Sequence, residues 1–184
     1  MTFLERLTAP VPHRAARKGL LGAVLLLALS TGTGCGVSYS LTGAEIPRDA
    51  NTVSVELFDA RAPLATPRTA QLITENLRDL LQAQTRLNLA AREADIQYAG
   101  EVVGYDVQPV NIQSDETAAL NRLTITLSVR YVNTLDTQKN AEMTVSRFAD
   151  YSSTQDLVSV EETLVQQISD QLSQDIFDRT LGNW

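Results

Sequence analysis

The chain has 184 residues, with 15 Lys and Arg against 22 Asp and Glu, a formal charge of −7, one histidine and one cysteine. This acidic balance argues against a nucleic-acid partner, since such binding rests on a basic surface that releases counterions from phosphates. The single His and Cys leave no means of building a Ser-His-Asp or Cys-His arrangement, or a zinc site with its usual N and S ligands.

Arg6, Arg14, Arg17 and Lys18 precede an uninterrupted apolar run, Gly19 to Leu29, and then the small residues Ser30-Thr-Gly-Thr-Gly-Cys35. These are the three parts of a bacterial export signal. The run is shorter than the roughly 20 apolar residues a spanning helix needs, so it reads as a signal and not as a lasting anchor. Cys35 stands where a lipoprotein signal peptidase leaves the modified cysteine as the new N-terminus. Thr33 and Gly34 suit the lipobox, while Gly32 takes the place of its usual Leu. Gly36, not Asp, follows the cysteine, which under the usual sorting rule permits transfer to the outer membrane. Stable anchoring requires at least two acyl chains, so a diacylated or triacylated Cys35 is expected. With residues 1–34 removed, 11 basic and 21 acidic side chains remain, a net −10; Lys139 is then the only lysine, and His13 has left with the signal.

Residues 35–50 read as a lipidated tether and 51–184 as one domain. Asn51 to Phe58 alternates, with Val53, Val55 and Leu57 on one side, as in a half-buried strand. Thr66-Pro67 is an N-cap followed by proline at the first helical position. Ile73, Leu77, Leu80 and Leu81 then predict a helix over 67–84. A short strand at 87–90 and a long one at 96–110 follow, the latter interrupted by Gly100 and Gly104 as at a bulge or bend. Asp115-Glu116 is the most conspicuous carboxylate pair, but it sits in a polar, turn-like stretch that suggests no apolar pocket to raise a pKa. The clearest strand is 121–133, with Leu123, Ile125, Leu127, Val129 and Tyr131 facing one way and Arg122, Thr124, Thr126, Ser128 and Arg130 the other. A polar hairpin connection, 133–140, leads to a returning strand, 141–151, with Met143, Val145 and Phe148 apolar. Ser153 and Ser159 are alternative caps for a last amphipathic helix, roughly 155–180, marked by Leu157, Val160, Leu164, Ile168, Leu172 and Ile176.

The order β-α-β-β-β-α implies an α+β fold: a four-stranded, mainly antiparallel sheet with two amphipathic helices packed on one face. The face carrying Arg122, Arg130 and the threonines is then wet or held against a partner.

Several segments, in this order, resemble a divergent branch of the LptE family of lipopolysaccharide-assembly lipoproteins. They are Thr42-Gly-Ala-Glu-Ile-Pro47, Arg61-Ala-Pro-Leu64, Glu116-Thr-Ala-Ala-Leu-Asn-Arg-Leu-Thr-Ile125, Arg147-Phe-Ala-Asp-Tyr151, Asp175-Ile-Phe and Asn183-Trp184. The resemblance implies two helices on a four-stranded sheet, an outer-membrane location facing the periplasm, and no catalysis or cofactor. It also implies a role as plug and assembly partner of the LptD β-barrel, with lipopolysaccharide as a possible ligand. Strand logic offers Arg122, Arg130 and Arg147 as contacts to lipopolysaccharide or partner; the bland reading is that they form ordinary surface ion pairs. Trp184 is either a further partner contact or a cover for the end of the last helix. Fold alone does not separate this role from that of a pilotin-like or wall-synthase-activating lipoprotein. A ligand-binding or hydrolytic function would require a concave pocket with convergent polar groups. Mass spectrometry of the mature protein is expected to find the Cys35 peptide acylated.

Overall fold

The computed structural model describes residues 46–110 and 119–182. Cys35, the expected signal, most of the expected tether, Asp115-Glu116 and Trp184 lie outside the described residues. The strands are β1 (Thr52–Val55), β2 (Asp59–Ala60), β3 (Asn88–Leu89), β4 (Ile96–Val110), β5 (Leu120–Asn133) and β6 (Ala141–Ser152). The helices are α1 (Pro67–Gln84) and α2 (Leu157–Thr180), and a short 3-10 turn spans Thr137–Lys139. The α+β class is as the sequence implies, but the sheet has six strands, in the order β3-β1-β4-β5-β6 with β2 also pairing with β4. The strands β4, β5 and β6 form an antiparallel meander, whereas β1 runs parallel to both β3 and β4. A parallel pair needs a crossover, and α1 supplies it between β1 and β3.

Period-two alternation sets the meander. Leu123, Ile125, Leu127, Val129 and Tyr131 of β5 are all buried beneath the helices. The inward residues of β4 are Ile96, Tyr98 and Val102, and then Tyr105, so the parity changes along the strand. The register shows why: pairing with β5 skips one residue between Val102 and Gly104. Val103 is the extra residue of a bulge, which a strand needs in order to move its later side chains to the other face. Gly100 and Gly104 flank it for a different reason. A Cβ on Gly100 would meet the Phe58 ring at 2.9 Å, and one on Gly104 would meet Thr126 Cβ at 3.0 Å.

The first strand is shorter than its alternation predicts, and Leu57 does not join Val53 and Val55. It is 62% exposed, and Phe58 takes the inward place instead, buried over Gly100. The chain leaves the ladder after Val55, and its backbone groups find other partners. Arg78 of α1 donates to the Val55 carbonyl at 2.5 and 3.2 Å. The Phe58 N–H donates to Thr74 Oγ1 at 3.0 Å.

Helix α1 begins as expected. The Thr66 hydroxyl accepts from the Thr69 N–H at 3.1 Å, with Pro67 in the first turn. Neither serine caps α2. Asp156 occupies the cap position without a side-chain cap bond, and the Ser159 hydroxyl donates back to the Asp156 carbonyl at 2.6 Å. The helices lie side by side and run in the same direction. Arg68 meets Glu162, Asn76 meets Asp170, and Gln84 meets Gln174, all ascending together. Ile73, Leu77 and Leu81 from α1 and Ile168, Leu172 and Ile176 from α2 are fully buried and close the core.

At the start of the described chain, Arg86 donates to the carbonyls of Pro47 and Arg48 at 3.2 and 3.0 Å. The Asp95 carboxylate accepts from the Asn51 N–H, the Thr52 N–H and the Thr52 hydroxyl at 2.9–3.0 Å. These bonds fix the residues that lead into β1.

Gly100→Val puts methyl groups where the Phe58 ring lies, and the ring is packed into the core. Denaturant unfolding is expected to show a loss of about 1–3 kcal/mol, the usual cost of overpacking.

Candidate partner-binding face

The face of the sheet away from the helices is ordered in rungs by the register. Gln108, Arg122 and Asp150 share one rung. Next come Asp106, Thr124 and Phe148; then Gly104, Thr126 and Ser146; then Glu101, Ser128 and Thr144; and finally Ala99, Arg130 and Glu142. The predicted polar face therefore exists, with Arg122 at one end and Arg130 at the other. Eight residues of strand separate the two, about 27 Å, so they cannot grip one phosphate group together.

Arg122 is engaged. Its Nε and Nη2 donate to the two carboxylate oxygens of Asp150 at 2.7 and 2.8 Å. Its guanidinium carbon also stands 3.6 Å from the centroid of the Phe148 ring. A planar guanidinium can do both, forking onto a carboxylate while stacking on an aromatic face. Phe148 is 46% exposed on this outer face. The sequence reading grouped it with Met143 and Val145 as apolar, but the inward residues of β6 are the odd-numbered ones, Val145, Ala149 and Tyr151. Its even number was the signal that it points outward. With Arg122 it makes a platform that offers an apolar ring and a cation together.

Arg130 is exposed and has no carboxylate within 4 Å among the described residues. It borders a groove of about 420 Å³ whose rim also carries Glu56, Asp59, Glu101 and Glu142. Arg61 spans Asp59 and Glu101 at 3.3 and 3.4 Å, in an exposed pairing that contributes little. Carboxylates outnumber cations here, so this end favours a neutral or basic partner group.

Arg147 lies on β6, next to the strand of the other two, but on the opposite face. It pairs with Asp175 of α2 at 2.6 Å and so fastens the last helix to the edge of the sheet. Its odd number carries it inward with Val145 and Ala149. A second, smaller groove of about 280 Å³ lies between the N-terminal turns of the two helices, lined by Thr66, Arg68, Leu72, Val158, Glu161 and Val165. Among the described residues, no group of three or more His, Cys, Asp or Glu is placed to hold a metal ion. No helix among them is long and apolar enough to cross a membrane.

A family model for lipopolysaccharide assembly, LptE, matches residues 50–180, well over half of the chain. The chain belongs to the LptE family. At the family level it is a lipopolysaccharide-assembly lipoprotein, and the matched span includes every described element of the domain. Among solved structures it is similar to a minor lipoprotein from Acinetobacter baumannii, at 15% identity and a TM-score of 0.46, covering 71% of this chain and 91% of that one. It is also similar to a protein from Xanthomonas campestris, at 12% identity and a TM-score of 0.47, covering 73% and 84%. A lipoprotein from Nitrosomonas europaea shares 16% identity at a TM-score of 0.44, covering 77% and 88%. Comparison with curated proteins gives no match.

The Arg122 hydrogen bond holds the Asp150 carboxyl below its ordinary value of 3.8, and Asp150 in turn raises Arg122. Asp95 of this LptE-family domain is lowered too, by the Asn51 N–H first and then by the Thr52 hydroxyl and N–H. A carboxyl lowered in the folded state stabilises the fold above its unfolded value, and that contribution disappears as pH falls through the folded value. Urea unfolding at about pH 7 and about pH 3 is expected to show an acid loss of stability. Asp95→Asn and Asp150→Asn should each be less stable than the wild type at neutral pH and lose less on acidification.

Proposed function

We propose that this chain is an outer-membrane lipoprotein, facing the periplasm, that partners and plugs an LptD-like β-barrel and assists lipopolysaccharide transport and assembly. In this reading residues 1–34 are a cleaved signal, Cys35 carries the lipid, residues 35–50 form the tether, and 51–184 form the plug domain. The observation that carries it is the LptE family match over residues 50–180. The domain's form supports it. One face of the sheet is sealed by helices, while the other stays open, polar and broad, as a body seated inside the hydrophilic lumen of a large barrel requires.

The reading assigns no catalytic step. Arg122 with Phe148, Arg130, and Trp184 at the C-terminus are the proposed contacts to barrel or lipopolysaccharide. Of these, the Arg122–Phe148 platform best suits an amphiphile or an apolar wall residue, because it joins a ring to a cation. Arg147, committed to Asp175, serves the fold instead.

The test is a gentle-detergent pull-down of tagged mature protein from its own outer membranes, with mass spectrometry of what accompanies it. A single large β-barrel in near-equal amount is expected, and depletion of the lipoprotein should impair both maturation of the barrel and surface lipopolysaccharide. A secretin or a wall synthase in place of the barrel would overturn the reading while leaving fold and anchor intact.

A further inference from the structure

One margin of the sheet is long and, among the described strands, has no neighbour. Strand β6 has 12 residues, about 40 Å of extended chain, and stands last in the strand order. Among the described strands none pairs with its outer side, where one contact, from Arg179 of α2 to the Thr144 carbonyl, is made. The other margin, β3, has only two residues.

The hydrogen-bond phase of β6 determines which groups that margin presents. The Ser153 N–H donates to the Ala119 carbonyl at 2.9 Å, one step beyond the pair Leu120–Ser152. In an antiparallel pair such bonding positions alternate. The odd residues of β6 therefore bond to β5, and the N–H and C=O groups of Glu142, Thr144, Ser146, Phe148 and Asp150 point outward. Arg179 confirms the phase by donating to the Thr144 carbonyl from outside the ladder at 3.2 Å. Soluble proteins usually blunt such a margin with Pro, Lys, a bulge or a very short strand. Residues 141–152 contain no Pro, Gly or Lys, and their pairing with β5 runs without a register shift; the inward charge, Arg147, is matched by Asp175, and α2 reaches the edge only through Arg179 at Thr144.

We infer that the outer edge of β6 receives an extended strand from a different polypeptide, which joins the sheet by main-chain hydrogen bonding. A peptide backbone is the complement that matches this row of outward groups, because it repeats donor and acceptor at the same spacing. Charge argues against a second copy of this chain. With outward positions bonded to one another, two antiparallel registers overlap best. One sets Glu142 opposite Asp150 twice; the other sets Arg147 opposite its own copy. Like charges directly opposite destabilise a pair. A foreign strand avoids both when it carries neutral or basic residues against Glu142 and Asp150, an apolar one beside Phe148, and no base against Arg147. The inference does not depend on the partner being a barrel.

The test is residue-resolved amide hydrogen exchange on the full mature protein, alone and in the assembly extracted in detergent from its own envelope. In the protein alone, the amides of Thr144, Ser146 and Phe148 are expected to exchange at least about tenfold faster than those of Val145 and Arg147. In the assembly the outward amides should slow to match the inward ones. Thr144→Pro removes only an outward N–H, so it should leave the unfolding temperature within about 5 °C yet abolish that protection. Outward amides that stay fast in the assembly overturn the inference. So does protection in the purified protein that grows with its concentration, which would mean self-pairing. Protection given by a partner that is no β-barrel would retain this inference and remove the proposed function.

Discussion

Strand β5 lies in the middle of the meander, bonded on both sides, and its inward row of Leu123, Ile125, Leu127, Val129 and Tyr131 runs unbroken under the helices. Every neighbour has to match that phase, because a slip of one residue would carry the whole row to the wrong face. The sequence of β4 does not match it unaided. Its apolar residues fall on even numbers up to Val102 and on odd numbers from Tyr105. The bulge at Val103 absorbs the change and keeps Asp106 and Gln108 out of the core. It is also what lets Tyr105 turn inward, where its hydroxyl donates to Glu161 of α2 at 2.7 Å. The Tyr105 bond to the last helix and the exclusion of Asp106 and Gln108 from the core both follow from this one inserted residue.

Periodic signals were therefore the legible part. The bounds of α1 and β4 could be taken directly from spacing and capping, and the two faces of β5 from alternation alone. What escaped had no period to show. Strands β2 and β3 are two residues each, held by backbone pairing to neighbours distant in sequence. Leu57 and Phe58 are equally apolar, and only the space left by Gly100 decides which of them is buried. The cap of α2 went to Asp156 because the chain leaves β6 through a turn at Ser152, where the Gln155 N–H donates to the Ser152 carbonyl at 3.0 Å, before the helix begins. The polar face is legible as a face in the alternation, and Arg122 and Arg130 both lie on it. Its aromatic member, Phe148, is legible from parity and not from residue type.

The charges divide by duty. Arg78, Arg86 and Arg147 each bond to a carbonyl or carboxylate of the fold, and each ties together segments well separated in sequence. Arg122 is intermediate, bonded within the sheet yet stacked on an exposed ring. Arg130 alone among these five has no bonding partner among the described residues, and it sits amid carboxylates. An acidic chain thus commits three of its few cations to architecture. What remains on the open face is polar, with Arg122 paired to Asp150 at one end and an excess of carboxylates around Arg130 at the other.

The place of the first strand in the sheet has a mechanical meaning. Strand β1 is not at a margin but is set between β3 and β4, parallel to both, and Asp95 and Arg86 clamp the residues that lead into it. Tension applied through the N-terminal segment, along the strand, loads the flanking hydrogen bonds together in shear. A strand drawn sideways from a margin would instead lose them one at a time, as a zip opens. The domain can thus take a pull on its N-terminal end through a strand bonded on both sides, while the margin at β6 carries none of the load.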